Sequence, residues 1–140
     1  MSTKPLPQPV IDLLKLPNPA VMATLAADGR PVTVATWYLL EDDGRILLGL
    51  DATRARLKHM RADPRISLTV LAENWYSHVS LQGRVVSIAD DVDLRDIDRL
   101  SRHYGGQAYP NRTSPRVSCQ FEIERWHAWG PIREQLTEDD

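Results

Sequence analysis

Three short segments of the chain carry apolar residues at the spacing of an α-helix. Residues 10–16 form the first, and Pro17 stops the pattern. Residues 54–63 form the second, with Thr53 at the position of an N-cap and Pro64 at the end of the pattern. Both segments are therefore predicted to be short helices.

The third helical pattern follows a pair of acidic residues in the second half of the chain. Leu100 and Tyr104 belong to its apolar stripe, and Asp90 or Asp91 is predicted to cap its start. Residues 105–115 come next and are rich in Gly, Pro, Ser and Asn, which predicts a loop. A loop of this length in a compact domain is typically functional or mobile, so we expect either a lid over a ligand or a static connection.

Alternation of apolar and polar residues divides the remaining sequence into strands. The predicted strands are residues 20–27, 31–40, 45–50, 65–72, 76–89 and 117–123. Asp28-Gly29 and Asp42-Asp43-Gly44 mark hairpin turns, and Gly83 marks a bulge. Six strands with three short helices predict a mainly β fold, an antiparallel barrel or sandwich decorated by helices.

Length and charge restrict the class of protein. The chain has 140 residues, and we expect residues 1–140 to form a single domain with flexible ends at 1–9 and 131–140. A net charge of -2 offers no overall field that would attract nucleic acid. Neither a signal peptide nor an apolar run of the ~18 residues that cross a membrane is present in the sequence. We therefore expect a cytoplasmic protein with neither nucleic-acid nor membrane partners.

Side chains arranged for metal binding or nucleophilic catalysis are missing from the sequence. Cys119 is the only cysteine, and the four histidines have no ligand spacing, so we expect no metal. The sequence contains no GxSxG elbow and no GxGxxG or GxxxxGK[ST] phosphate loop. Any reaction would have to use a reactive group other than a metal ion or an activated side chain of these kinds.

A basic cluster occupies the second predicted helix. Arg54, Lys58 and Arg61 share one helical face, and Arg56 lies in the first turn, where the helix dipole is positive. The cluster is either a solvated face or a site for a phosphate group. Cations in a first turn oppose the dipole, and an anionic ligand would reverse that effect.

Aromatic residues are scarce and come in pairs. Trp37-Tyr38, Trp75-Tyr76 and the pair Trp126 and Trp129 lie on or beside predicted strands. Because the charge balance is nearly neutral, we interpret them as core or interface anchors rather than as platforms for nucleic-acid bases.

Four segments in this order resemble the flavin and deazaflavin oxidoreductases of the pyridoxamine 5′-phosphate oxidase-like split-barrel superfamily, in particular the branch associated with coenzyme F420. They are Ala20 to Pro31, Ala35-Thr36-Trp37-Tyr38, Thr53 to Arg65 and Leu81-Gln82-Gly83-Arg84-Val85. Ala35 and Thr36 depart from a Pro-Val-Trp-Phe-like tetrad, and Gln82 replaces the family's usual acid.

The resemblance implies a six-stranded antiparallel split β-barrel that forms a homodimer with cofactors in clefts at the interface. It implies that Arg54, Arg56 and Lys58 hold the cofactor phosphate, while Val34, Ala35, Thr36 and Trp37 follow the ring. Gly49, Leu50 and Asp51 would border the cofactor, and Tyr76 and His78 would approach from the partner subunit.

The function implied is that of an F420-dependent oxidoreductase, which transfers a hydride from the reduced deazaflavin to a conjugated small-molecule acceptor. The alternatives are an FMN-binding oxidoreductase of the same fold and a non-catalytic protein that binds a flavin or tetrapyrrole. Solvent, Tyr76 or His78 would supply the proton. Arg61 and the loop from Arg112 to Arg116 are candidates for the anionic tail of F420, and Tyr109 is the aromatic residue of the predicted lid.

Overall fold

The computed structural model describes residues 1–136, which form a seven-stranded antiparallel sheet and three α-helices. The helices are α1 (Gln8–Leu14), α2 (Ala55–Ala62) and α3 (Arg95–Gly105). The strands are β1 (Ala20–Leu25), β2 (Pro31–Thr36), β3 (Leu39–Leu40), β4 (Ile46–Asp51), β5 (Arg65–Leu71), β6 (His78–Asp90) and β7 (Arg116–Trp129). They follow the order β2-β1-β5-β6-β7-β4-β3, and every neighbouring pair is antiparallel.

The connection between β2 and β3 curls the sheet into a barrel. These strands lie at opposite edges of the sheet, yet only Trp37 and Tyr38 separate them in sequence. Three peptide steps span at most about 11 Å, so the two edges must lie close together. Tyr38 is fully buried, and its hydroxyl donates to the Leu16 carbonyl over 3.0 Å. This arrangement confirms the predicted mainly β fold and its antiparallel barrel.

The predicted number of six strands was wrong, because the predicted strand 31–40 is two strands. Its first part, β2, pairs with β1, whereas Leu39 and Leu40 pair with β4. Alternation continues through both parts because each has an inner and an outer face. An alternating pattern does not reveal that the hydrogen-bonding partner changes at Trp37 and Tyr38.

The barrel interior is filled by side chains from the inner faces of the strands. Its largest fully buried members include Met22, Leu48, Leu68, Leu81 and Phe121. A second, smaller cluster lies on the outer surface of β4, where Leu47 packs against Ile97 and Leu100 of α3. Helix α3 is thus fixed to the outside of the barrel beside the end of β4.

The predicted bulge at Gly83 and the predicted capping of α3 were confirmed, and the predicted cap of α2 was wrong. The register of β6 against β7 shifts between Gln82 and Gly83, which confirms the bulge. Asp91 accepts hydrogen bonds from the backbone N–H groups of Asp96 and Ile97, each over 2.8 Å, and so caps the first turn of α3, while Leu94 occupies the N-cap position itself. Thr53 does not cap α2.

The reason for the error at Thr53 is a competing acceptor. The N-cap position of α2 is occupied by Arg54, which makes no side-chain capping bond. The Thr53 hydroxyl instead donates to the Asp51 carboxylate over 2.7 Å, and its backbone N–H does so over 2.9 Å. The carboxylate two residues earlier therefore holds Thr53 in a turn ahead of the helix.

Both described ends of the chain contact the barrel. Ser2 and Trp126 exchange two backbone hydrogen bonds of 2.8 and 2.9 Å, and the Trp126 indole donates to the Lys4 carbonyl over 2.7 Å. Pro131–Gln135 form a 3₁₀ turn in which Ile132 is buried and its N–H donates to Ser77 Oγ over 3.0 Å. Residues 137–140 of the predicted flexible end lie outside the described residues.

Among residues 1–136, no helix has the length and apolar character needed to cross a membrane.

Candidate ligand-binding cleft

A cleft of about 620 Å³ opens where the two edges of the barrel meet. This volume lies in the range of small-molecule sites. The end of β2, the end of β4, the start of α2 and one face of α3 surround it. The lining residues are Pro17, Pro19, Ala20, Ala35, Thr36, Trp37, Gly49, Asp51, Arg54, Arg56, Ile97, Leu100, Tyr104, Tyr109 and Arg116.

Three arginines make one end of the cleft strongly cationic. Arg54, Arg56 and Arg116 line it, and none of them takes part in an ion pair among residues 1–136. Asp51 is the only acidic residue of the lining, and its Oδ1 accepts two hydrogen bonds from Thr53. The hydrogen bonds from Thr53 lower the pKa of Asp51, and the charges of Arg116 and Arg54 lower it further. The cleft therefore has an excess of positive charge.

Arg56 is the most constrained of these cations. Its guanidinium is half-buried and donates to the Met22 sulfur over 3.5 Å, a weak acceptor. Burial lowers the pKa of Arg56, as do the like charges of Arg54 and Arg116. A half-buried cation beside like charges is unfavourable unless an anion is near. A bound anion would lower the free energy of this arrangement.

Arg116 joins the cationic end to an aromatic surface. It is the first residue of β7 and lies opposite Asp51 in the ladder between β4 and β7. Its guanidinium carbon lies 4.8 Å from the centre of the Tyr109 ring. The Nε atom of Arg116 is buried and has no hydrogen-bond partner in the described part of the chain. Arg116 is thus held by stacking while one N–H lacks an acceptor.

Trp37, Tyr104 and Tyr109 form an aromatic wall along the other side of the cleft. The rings of Trp37 and Tyr104 stack at 5.3 Å with an interplanar angle of 12°. Tyr109 meets Trp37 edge-on, at 6.2 Å and 87°. The Tyr104 hydroxyl donates to the Asn18 carbonyl over 2.7 Å, and burial raises the pKa of Tyr104 to about 12. Tyr104 is consequently a fixed, neutral support for Trp37.

Gly49 allows α3 to approach the floor of the cleft. A methyl group at this position would lie 2.9 Å from Leu100 Cδ1 and 3.6 Å from Ile97 Cδ1. The absence of a side chain therefore lets these two residues line the cleft beside β4.

The loop at 105–115 is fastened to α3 through Asp98. The carboxylate accepts hydrogen bonds from the Tyr109 backbone N–H over 2.9 Å and from Arg112 Nη1 over 2.6 Å. The Arg112 side chain and then the Tyr109 N–H lower the pKa of Asp98. Tyr109 lines the cleft in this arrangement, and movement of the loop as a lid stays a prediction.

The cleft brings together seven of the predicted cofactor residues, namely Ala35, Thr36, Trp37, Gly49, Asp51, Arg54 and Arg56. Val34 and Leu50 do not line it, because Leu50 belongs to the barrel core and Val34 packs against that core. Lys58 lies in an adjoining groove with Arg61, and this groove shares Arg54 with the cleft.

Neither Tyr76 nor His78 lines the cleft. His78 lies opposite Leu71 and Trp129 in the sheet, and its Nδ1 is 3.1 Å from the Trp75 carbonyl. Tyr76 stacks on Trp75 at 4.4 Å, and the two residues are 58% and 60% exposed.

Sequence reasoning missed several residues of the site. Tyr104 appeared in the sequence only as part of an apolar stripe, and Arg116 only as the end of a loop that could hold an anionic tail. Arg112, from the same loop, is paired with Asp98. The signal for Arg116 is the register that sets it opposite Asp51, and that register depends on the pairing of strands far apart in sequence.

Residues 1–136 contain no group of three or more His, Cys, Asp and Glu side chains placed to hold a metal ion. Cys119 is buried in the barrel, and burial raises the pKa of its thiol to about 11.

The chain matches one known protein family and is similar to several solved structures. The family model described as pyridoxamine 5′-phosphate oxidase matches residues 6–130. A solved structure titled F420 reductase is similar with a TM-score of 0.79 and 22% identity, covering 87% of this chain and 98% of its own. A conserved hypothetical protein from Mycobacterium tuberculosis is similar with a TM-score of 0.71 and 22% identity, covering 99% of this chain and 93% of its own. No match was found among curated proteins.

Proposed function

Because this chain belongs to the pyridoxamine 5′-phosphate oxidase family, we propose that it is an oxidoreductase that binds coenzyme F420 in the cleft. In this proposal the protein transfers a hydride from the reduced deazaflavin to a conjugated small-molecule acceptor. The observation that carries the proposal is the cationic end of the cleft, where three arginines lack an anionic partner among residues 1–136. A phosphate would supply the missing negative charge for two of them, Arg54 and Arg56.

The residues present fit a phosphorylated, flat cofactor. Arg54 and Arg56 would hold the phosphate, since a guanidinium binds phosphate oxygens in a bidentate manner and gains most where it is already partly desolvated. β2 is an edge strand, so one side of its backbone is unpaired and can bond the polar edge of a ring along Ala35 to Trp37. The bound deazaflavin supplies the hydride chemistry, while the protein supplies placement and exclusion of water.

The groove next to the cleft favours F420 over FMN. Lys58 and Arg61 line this groove together with Arg54, and Asp90 is its acidic member. F420 carries an anionic tail beyond its phosphate, and FMN does not. Cations that continue from the phosphate site into a neighbouring groove suit the longer anion. The likeness to a structure titled F420 reductase supports the same choice.

Titration of the purified protein with reduced F420 and with FMN, followed by fluorescence quenching, tests the proposal. We expect tighter binding of F420 and a colourless protein from a host that lacks F420. Lys58→Ala and Arg61→Ala should weaken the binding of F420 more than that of FMN. A yellow protein that retains FMN through purification would support an FMN-dependent oxidoreductase instead. Failure of both cofactors to bind would refute the proposal.

We also propose that the protein acts as a homodimer. Residues 1–136 leave the outer face of β1 and β2 uncovered, and Val21 and Ala35, which lie opposite each other in the ladder, are exposed on it. Ala35 belongs to the cleft as well, so this face and the cleft are continuous. In the homodimer that the family resemblance implies, Tyr76 and His78 approach the cofactor from the partner subunit, where either is a candidate proton donor.

A further inference from the structure

Arg116 differs from the other two arginines of the cleft in what surrounds it. Arg54 and Arg56 lie at the start of α2, whereas Arg116 begins β7 and stacks on Tyr109 of the aromatic wall. It therefore stands at the boundary between the cationic end and the aromatic wall.

The hydrogen-bonding capacity of Arg116 is not satisfied by the protein. Its Nε is buried without a partner in the described part of the chain. Asp51 is opposite Arg116 in the sheet, but its Oδ1 accepts from the hydroxyl and the N–H of Thr53, and the carboxylate makes no ion pair with Arg116. A buried donor beside a cleft is unfavourable unless a ligand offers an acceptor. The acceptor that matches a guanidinium best is an anionic oxygen.

The aromatic wall specifies the rest of such a ligand. Trp37 is 37% exposed, and one of its faces is supported by the nearly parallel ring of Tyr104. Tyr109 stands at 87° to Trp37, so the two rings form a corner. A flat π-system fits this corner by stacking on one ring while meeting the edge of the other.

We infer that Arg116 and the aromatic wall form the substrate subsite, and that the substrate class is a planar, conjugated carboxylate. The π-system lies against Trp37 and Tyr109, and the carboxylate pairs with Arg116. This inference rests on the proposed function, because the cofactor phosphate then occupies Arg54 and Arg56 and leaves Arg116 for the substrate. Arg116 is thereby the residue that determines specificity for an anionic acceptor.

Calorimetric binding of two matched aromatic probes tests this assignment. The probes are 2-naphthoate and 2-naphthamide, which share a ring system and differ in charge, added to protein saturated with its cofactor. We expect the wild type to bind the carboxylate at least tenfold more tightly than the amide. Arg116→Gln should abolish this preference, Arg116→Lys should retain part of it, and Tyr109→Ala should weaken both probes by a similar factor.

Cofactor affinity in the same variants separates this inference from its rivals. Arg116→Gln should leave the cofactor dissociation constant within about twofold of the wild type, with circular dichroism confirming the fold. If Arg116→Gln weakens the cofactor as much as Arg56→Met, Arg116 belongs to the phosphate site and the inference is wrong. The inference is also wrong if the Arg116→Gln variant still binds the carboxylate probe more tightly than the amide probe.

The proposed function and the subsite can fail separately. If neither cofactor binds, the same titrations are made on the Arg56→Met variant, in which the phosphate site is weakened. A carboxylate preference that still depends on Arg116 then supports the subsite although the proposed function has failed. Equal binding of the two probes there overturns the subsite too.

Discussion

Arg56 is a half-buried cation that makes no ion pair within residues 1–136. Its replacement by Met keeps the apolar stem and removes the charge. We expect Arg56→Met to weaken cofactor binding by about 1.5 to 3 kcal/mol, the usual worth of a hydrogen bond to a charged group. The melting temperature of the cofactor-free protein should stay the same or rise, because a partly desolvated charge beside Arg54 and Arg116 is lost.

Arg45→Met is the matched control for this variant. Arg45 is partly exposed, and its one ion pair is a long contact of 3.9 Å to Glu122. Cofactor affinity should therefore be unchanged in Arg45→Met. Unchanged cofactor affinity in Arg56→Met itself would mean that the cationic end of the cleft does not hold the phosphate.

Gly83 occupies a position where no side chain fits. A methyl group there would lie 1.8 Å from the Glu122 carbonyl oxygen and 2.8 Å from the Phe121 ring. Because the nearest atom belongs to the backbone, we expect Gly83→Ala to lower the free energy of unfolding by at least about 1 to 3 kcal/mol. Urea denaturation measures this change.

Gly105→Ala provides the contrast in the same experiment. Apart from the backbone of its own helix and its chain neighbours, no atom of residues 1–136 lies within 4 Å of a methyl group at Gly105, the last residue of α3. We expect this substitution to be neutral or to stabilise the protein by about 0.4 to 1 kcal/mol, through the lower entropy of its unfolded chain. Equal effects of the two substitutions would contradict the close approach at Gly83.

At the scale of single residues, the sequence predicted what depends on near neighbours. The bulge at Gly83 and the Asp91 cap of α3 were confirmed because glycine and aspartate signal such features locally. Thr53 was assigned wrongly because an equally local partner, Asp51, competed for its hydroxyl. The environment of Arg116 could not be predicted, since Asp51 reaches it only through the pairing of β4 with β7.

At the scale of elements, one carboxylate fastens the 105–115 loop to α3. Asp98→Asn removes the charge that holds Arg112, so we expect faster hydrogen exchange over residues 107–115 and little change in the barrel strands. Binding of the cofactor should slow exchange in this loop if it acts as a lid. Exchange measured by mass spectrometry, with and without cofactor, tests both expectations.

The same anchor should depend on pH in a defined direction. The pKa of Asp98 in the folded protein is lowered from the ordinary value of 3.8. The stabilisation of the loop by the ionised Asp98 carboxylate is therefore fully present above pH 3.8. It is lost as the pH falls through the lowered pKa. We expect loop protection to be constant from pH 7 to about pH 5 and to decline below about pH 4. A loss of protection near neutral pH would point to another group.

Element boundaries were predicted well where turns mark them and poorly where the chain stays extended. Asp28-Gly29 and Asp42-Asp43-Gly44 separate β1 from β2 and β3 from β4 as expected. Between β2 and β3 the chain crosses from one edge of the barrel to the other without a turn residue. Two residues of the candidate site, Thr36 and Trp37, lie at this crossing, so its position decides where the cleft is.

At the scale of the whole molecule, the outer face of β1 and β2 is the surface through which we expect two copies of the chain to form a homodimer. We expect sedimentation at micromolar concentration to give about twice the chain mass of 15.9 kDa. Val21→Arg should produce monomers, because Val21 is exposed at the centre of the face and a copy related by symmetry would bring two new charges together. It should also weaken cofactor binding if the cleft is shared.

Val92→Arg is the control for a charge placed elsewhere. Val92 is 72% exposed on the 3₁₀ turn before α3, away from β1 and β2. The variant should remain dimeric. A wild-type monomer that binds cofactor with full affinity would contradict the shared cleft.

The fold of the whole molecule was accessible from the sequence through alternation and through the resemblance at Ala20 to Pro31 and Thr53 to Arg65. The cleft could be predicted only in part, because two of its residues, Tyr104 and Arg116, lie more than 50 residues further along the chain than Thr53. Local patterns do not encode which distant strands become neighbours.

The position of β7 in the sheet has a consequence for how the protein is made on the ribosome. β7 follows the other six strands of residues 1–136 in sequence and is synthesised after them, yet it lies between β6 and β4. A nascent chain that lacks it can pair β2, β1, β5 and β6, whereas β4 has only the two-residue β3 as a partner. Closure of the barrel therefore waits for residues 116–129, and the ligand cleft is completed only after translation has passed Arg116.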